Sequence, residues 1–308
     1  MTARIICEKT TCCCDKPLSD LPIIGAVVMA SGSGQRFQEL SAGQTQQPHA
    51  DQTLQDSQKP HADQTLPDSP LHKNKLLADF RGKPMIVPAL HAASSPLITF
   101  RTAVTRTPEI RDLCGQFGFP CLLHDRPGLN DTIRLGLQSF FPLACRQPMP
   151  DGQSKRDASI PSGLQSFFSS GNPVRENALQ MPDDPADLPV DGCLFLQGDQ
   201  PLLSRSSVEA LIRAFWQEPQ YIYRLSFDGR PGSPVLFPKQ LFEELLALPH
   251  NCGGSFVIRK HPDLVRLVEA SDAGELLDAD TPLELKHLQE YSDQTHAVND
   301  PNKKETAI

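Results

Sequence analysis

Six short, mostly apolar runs recur along the chain, at 23–30, 98–104, 120–123, 192–197, 221–227 and 264–269. Each is strand-length, and the near-absence of alternation suits strands covered on both faces. Between them lie stretches of helical period. Val208, Leu211, Ile212, Phe215 and Trp216 fall at i, i+3, i+4, i+7 and i+8, and Ser206 with Glu209 fits a capping box. Thr281, Pro282 and Glu284 combine a cap, a first-turn proline and a reciprocal acid. Strands alternating with helices predict an α/β fold with a mainly parallel sheet.

Two duplications interrupt this pattern. "PHADQTL" occurs at 48–54 and 60–66 in a polar stretch without period, and "GLQSFF" at 136–141 and 163–168, the second copy inside a Pro-, Gly-, Ser- and Asp-rich segment. Two copies do not make a solenoid, so both regions read as insertions in loops. The chain then divides into a Cys-containing tail at 1–20, one domain at 21–295 with insertions at about 41–72 and 143–188, and a polar tail at 296–308. The first "GLQSFF" continues directly from a helix start at Asp131 and is the copy expected to pack.

Composition narrows the partners. A formal charge of −8 argues against a generic nucleic-acid surface, which would need a basic stripe, so any bound anion must be held by local donors. No apolar run approaches the roughly 18 residues of a membrane span, and no signal-peptide apolar region is present. A cytoplasmic protein with neither membrane nor nucleic acid as partner is expected. Of nine cysteines, Cys114, Cys121, Cys145, Cys193 and Cys252 sit singly in apolar surroundings and read as reduced core residues. Cys7 and Cys12 to Cys14 lack the paired spacing of a zinc knuckle.

Candidate chemistry lies where strands end. After the first run, Ala30, Ser31, Gly32, Ser33 and Gly34 form a small-residue loop whose amides can cradle a phosphate, and Arg36 adds a planar cationic donor. The dinucleotide fingerprint and the P-loop are both absent, since Phe37 stands where a third glycine is needed and no Gly-Lys-Ser/Thr follows. The run at 192–197 delivers Gly198 and Asp199, an acid suited to a hard cation between phosphate oxygens. After 120–123, Gly128 permits close approach, while Asn130 and Asp131 can cap a helix or meet a base edge.

Set residues 41–72 aside, and "MASGSGQRF" followed by "NKLLADFRGKPMI" resembles the signature of MobA-like nucleotidyltransferases. That resemblance implies a Rossmann-like three-layer α/β/α sandwich of the nucleotide-diphospho-sugar transferase type. It also implies that the loop at 30–34, Arg36 and Lys75 grip a nucleoside triphosphate. "GDQP" at 198–201 looks like the form found in molybdenum cofactor cytidylyltransferases, in which Asp199 would hold Mg²⁺ or Mn²⁺. Gly128 and Thr132 match a Gly-x-x-x-Ser/Thr loop set against the base. "GRPGSPVLFPKQLFEEL" is similar to the acceptor-side segment, implicating Gly232, Ser233 and Pro234, and "NCGGSFVIRKH" to a substrate loop containing Gly253 and Gly254. Arg259, Lys260 and His261 after it either meet an anionic pterin phosphate or form a solvated helix face. "LLDADTPLEL" resembles an Asp-x-Asp-Thr-Pro element, making Asp280 a second metal ligand and Asp278 a substrate contact.

The implied activity joins CMP from CTP to the terminal phosphate of molybdopterin and releases pyrophosphate. GTP as donor, or a sugar or polyol phosphate as acceptor, would keep the same chemistry. A module delivering cofactor to a molybdenum hydroxylase apoenzyme, without catalysis, is the alternative of a different class.

Overall fold

The computed structural model describes residues 21–32, 34, 37, 74–140 and 188–298. The N-terminal cysteine cluster, Cys145, both "PHADQTL" copies and the second "GLQSFF" lie outside them, as do all of 41–72 and all but the last residue of 143–188.

A seven-stranded sheet runs β5 (Cys121–Leu123), β4 (Phe100–Thr105), β1 (Ile24–Ala30), β6 (Gly192–Gln197), β8 (Arg230–Pro238), β7 (Ile222–Phe227), β9 (Val265–Glu269). All pairings are parallel except those of β8, which lies antiparallel between β6 and β7. Strands β2 (Asp79–Phe80) and β3 (Lys83–Pro84) form a separate hairpin.

Strand period explains the three layers. Along β1, Ile24, Ala26, Val28 and Ala30 enter one core, whereas Val27 enters the other. The first core receives α1 (Val87–Ala92), α2 (Pro108–Gln116), α4 (Arg205–Gln217) and α7 (Pro282–Val298). The second receives α3 (Leu129–Gln138), α5 (Phe242–Leu246) and α6 (Ser255–Lys260). This is the α/β/α sandwich expected from the sequence. All six predicted strands form, with ends within two residues of the expected ones.

The five periodic side chains of α4 are buried, at about 1.5–3 kcal/mol each, so packing rather than propensity holds this helix. Its cap differs from expectation: Ser204, not Ser206, accepts from the Ser207 amide, and Glu209 instead bonds Arg213 and Ser95. Pro201 ends the strand segment early enough for Ser204 to be the first cap available. The Thr281 box forms as expected, with Thr281 Oγ1 accepting from the Glu284 amide at 3.1 Å and Glu284 Oε2 from the Thr281 amide at 2.9 Å. Helix α7 reaches Val298, into the region read as tail.

The first "GLQSFF" closes α3 and buries Phe140. Gly136 in it brings helix and sheet together, since a Cβ there would lie 2.6 Å from Val27 Cγ1. Strand β8 was not foreseen, because three prolines and a glycine in Arg230–Pro238 carry little strand signal. A register shift between Arg224 and Ser226 on β7 accommodates it, and the Ser233–Pro234 bond is cis. Cys114, Cys121 and Cys193 are buried thiols as expected, Cys252 is only partly buried, and among the described residues no helix is long and apolar enough to cross a membrane.

Candidate active site

The carboxyl ends of β1, β4, β5 and β6 open on a cleft of about 280 Å³. Each strand contributes its next residues to the lining: Ser31 and Gly32 after β1, Arg106 after β4, Pro127 and Gly128 after β5, Asp199 after β6. Ligands collect at this end of open α/β sheets because loops diverge there and helix N-termini face the gap.

Hydrogen bonds from β4 hold the loop after β1. Thr105 Oγ1 donates to Ala30 O at 3.0 Å, and Arg106 Nε to Ser31 O at 2.9 Å. The Ser31 hydroxyl donates to Val104 O at 3.1 Å and lies 2.8 Å from His124 Nε2, which gives His124 a bracing part no sequence pattern indicated. Gly34 has φ +63°, and a Cβ on it would stand 3.5 Å from the Lys75 backbone nitrogen. The fold therefore places the loop beside Lys75 although 38–73 separates them in sequence. Ser33 and Arg36 lie outside the described residues.

Lys75 opens a 3-10 turn, Lys75–Leu77, capped by Asn74 Oδ1, and Asn74 Nδ2 donates to Thr107 Oγ1 at 2.8 Å. Its ammonium reaches Asp199 Oδ2 at 2.6 Å and Asp280 Oδ1 at 2.5 Å. Burial works against the charged lysine, but the two carboxylates outweigh it and raise the pKa above its ordinary value. One main-chain and one side-chain hydrogen bond bring the carboxylates together across 80 residues of sequence: the Ala279 amide donates to Asp199 O, and the Gln200 side-chain Nε2 to Leu276 O. Buried Glu275 anchors that same segment, accepting from the Ser204 amide and the Ser207 and Ser271 hydroxyls. Asp278 joins the cluster, its carboxyl pushed above the usual range first by desolvation and then by the charge of Asp199.

One oxygen from each of Asp199, Asp278 and Asp280 lies within 4.8 Å of the other two. Oxygens around Mg²⁺ at about 2.1 Å stand about 3 Å apart when adjacent, so small side-chain adjustments would let all three meet one hard cation. The donor set fits such an ion, and in this structure the Lys75 ammonium bridges two of its members.

At the opposite end of the cleft, Gly128 is the N-cap of α3, and a Cβ there would meet Asn130 Oδ1 at 2.3 Å. Asp131 Oδ2 accepts from the Gly128 amide, the capping duty expected of it. Asn130 Oδ1 accepts from the Asn251 amide at 3.0 Å and fixes that loop. Thr132 lines the cleft, is 1% exposed, and its hydroxyl has no hydrogen-bond partner among the described residues. Leu129, 45% exposed, forms an apolar lip beside it.

The remaining predicted positions stand back from the cleft lining. Gly232 packs under Leu276, and Ser233 O accepts from Gln200 Nε2, so β8 with Pro234 abuts the segment carrying Asp278 and Asp280. Gly198 passes Met29 O closely, Gly253 abuts Leu129, and Gly254 abuts Phe237. Lys260 and His261 both pair with Glu244, which favours a solvated helix face for that basic segment.

Arg106, Gln197 and Asn251 line the cleft without having been singled out in the sequence. For Arg106 and Gln197 the signal was available, since each lies at the carboxyl end of a predicted parallel strand. Asn251, the first residue of the segment likened to a substrate loop, is held there by its amide bond to Asn130 Oδ1.

The family described as MobA-like NTP transferase domain matches residues 69–265. Among curated proteins no sequence match is found. Solved structures of similar fold include a nucleotidyl transferase from Methanothermobacter thermautotroptrophicus, with 17% identity, 89% of this chain and 99% of the other covered, and a TM-score of 0.53. Rv0371c from Mycobacterium tuberculosis H37Rv, solved in complex with manganese, has 15% identity, coverage of 87% and 98%, and a TM-score of 0.50. CMP:2-keto-3-deoxy-manno-octonic acid synthetase, complexed with CTP, has 12% identity, coverage of 89% and 98%, and a TM-score of 0.50.

Proposed function

The chain belongs to the MobA-like NTP transferase family and is a nucleotidyltransferase, and from that premise we propose that it transfers CMP from CTP to the terminal phosphate of molybdopterin. The observation that carries the reading is the convergence of Asp199, Asp280 and Lys75 at one end of a cleft whose other end offers Gly128, Thr132 and an apolar lip. A charged group fits the first end and a flat heterocycle the second. The choice of cytidine and molybdopterin is supported by the likeness of Gly198-Asp199-Gln200-Pro201 and of the segment around Gly232 to the cytidylyltransferase forms. A synthetase of the same fold holds CTP.

In this reaction an oxygen of the acceptor phosphate attacks the α-phosphorus in line, the bond to the bridging oxygen breaks, and pyrophosphate leaves. The acceptor is already ionised at neutral pH, so no strong general base is needed. Catalysis then reduces to positioning and charge stabilisation. The amides of 30–34 and Arg36 receive the phosphates, Lys75 neutralises charge on the leaving group, and Thr132 with Gly128 bounds the base. Asp199 and Asp280, with Asp278 beside them, would hold a divalent cation, which would supply electrostatic stabilisation of the triphosphate charge.

The test is pyrophosphate release by the purified chain with Mg²⁺ or Mn²⁺ and molybdopterin, comparing CTP, GTP, ATP and UTP. Release with CTP alone is expected. Release with GTP alone moves the reading to guanylyl transfer, and tight cofactor binding without release from any nucleotide moves it to a delivery module for a molybdenum hydroxylase.

A further inference from the structure

The segment Thr105-Arg106-Thr107 touches both halves of the presumed phosphate site. Thr105 holds Ala30 O, Arg106 holds Ser31 O, and Thr107 is held by Asn74, the residue before Lys75. In a trans peptide the carbonyl and the following amide point in opposite directions. Holding Ser31 O against Arg106 therefore turns the Gly32 amide away from the guanidinium.

Lys75 and Arg106 are the two cationic side chains among the described residues lining the cleft. Two carboxylates compensate the Lys75 charge, whereas Arg106 forms no ion pair with a described residue. The Ser31 bond uses only Nε, so the terminal nitrogens keep their donors. A guanidinium fixed at Nε presents a planar, permanently charged fork, the arrangement that suits phosphate oxygens.

We infer that Arg106 is a nucleotide-binding residue of this site, its terminal nitrogens engaging a phosphate oxygen of the triphosphate while its Nε holds the loop after β1. The inference rests on the nucleotidyltransferase reading but not on the identity of the base. In the structure the Lys75 charge is already paired with Asp199 and Asp280, which leaves Arg106 as the cleft cation whose charge a bound phosphate would compensate.

Calorimetric titration of the full chain and of Arg106→Gln and Arg106→Lys, with Mg²⁺ and inorganic tripolyphosphate or cytidine as probes, separates the phosphate from the base. Arg106→Gln is expected to weaken tripolyphosphate binding by about tenfold or more, with cytidine affinity unchanged. Arg106→Lys, retaining the charge without the fork, should fall between the two and also serves if the Gln variant folds poorly. Unchanged tripolyphosphate affinity in the variants, an equal loss for cytidine, or no tripolyphosphate binding by the unmodified chain would overturn the assignment. A wild-type preference for GTP over CTP would overturn the cytidine reading and leave Arg106 standing.

Discussion

Replacing Thr132 by valine should move stability and nucleotide affinity in opposite directions. The side chain is 1% exposed and its hydroxyl has no partner among the described residues, which leaves a buried polar group without compensation from them. Such a group costs about 1–3 kcal/mol. Valine keeps the branched shape, removes the hydroxyl, and has similar helix propensity, so most of that cost should be recovered. Urea denaturation should show a higher midpoint with an unchanged slope, for a gain of about 1 kcal/mol or more. Under the proposed function the hydroxyl would gain a partner on the base or ribose once nucleotide binding opens access to it, and losing it would leave that ligand atom unpaired. The same 1–3 kcal/mol then appears as nucleotide binding weakened by about 5- to 150-fold. Thr132→Ser keeps the hydroxyl and should retain affinity, while losing about 1 kcal/mol of stability to the missing methyl. A less stable Val variant, or one binding nucleotide as the parent does, refutes the reasoning.

Asp199→Ala should lower turnover by about 10²-fold or more while far-UV circular dichroism stays at the parental spectrum, because the residue is half-buried at the cleft and outside both cores. Lys75→Met removes the ammonium that bridges Asp199 and Asp280. Electron paramagnetic resonance titration should accordingly find Mn²⁺ binding tighter without nucleotide, and transfer lost; weaker Mn²⁺ binding would mean that the lysine organises the carboxylates rather than competing for them. Gly136→Ala sets a methyl 2.6 Å from Val27 Cγ1. Overpacking of about 1–3 kcal/mol then outweighs about 1 kcal/mol of helix propensity, and Val27→Ala in the same chain should recover part of the loss in a double-mutant cycle.

Local pattern carried most of the fold. The apolar runs at 23–30 and 192–197 have the length and composition of strands buried on both faces, and the 3.6-residue period of 208–216 that of a helix with one side in the core. The Asp199 position was equally legible, because an acid just beyond a parallel strand points into the gap between loops. Strand β8 was not, since its antiparallel place between β6 and β7 is set by the two neighbours it pairs with and not by its proline-rich composition.

Tertiary structure alone decided what these residues meet. Nothing local relates Lys75 to Asp280, which stand 205 residues apart; the docking of 276–280 onto Asp199 and Gln200 makes them partners. The unpartnered Thr132 hydroxyl and the Arg106 bond to Ser31 are likewise products of packing between consecutive strand ends. Periodicity records which face a residue turns to the core, because burial acts on every residue of an element at once. Contacts across the cleft depend on a few loop residues brought together by the whole sheet, and they leave no repeating trace in the chain.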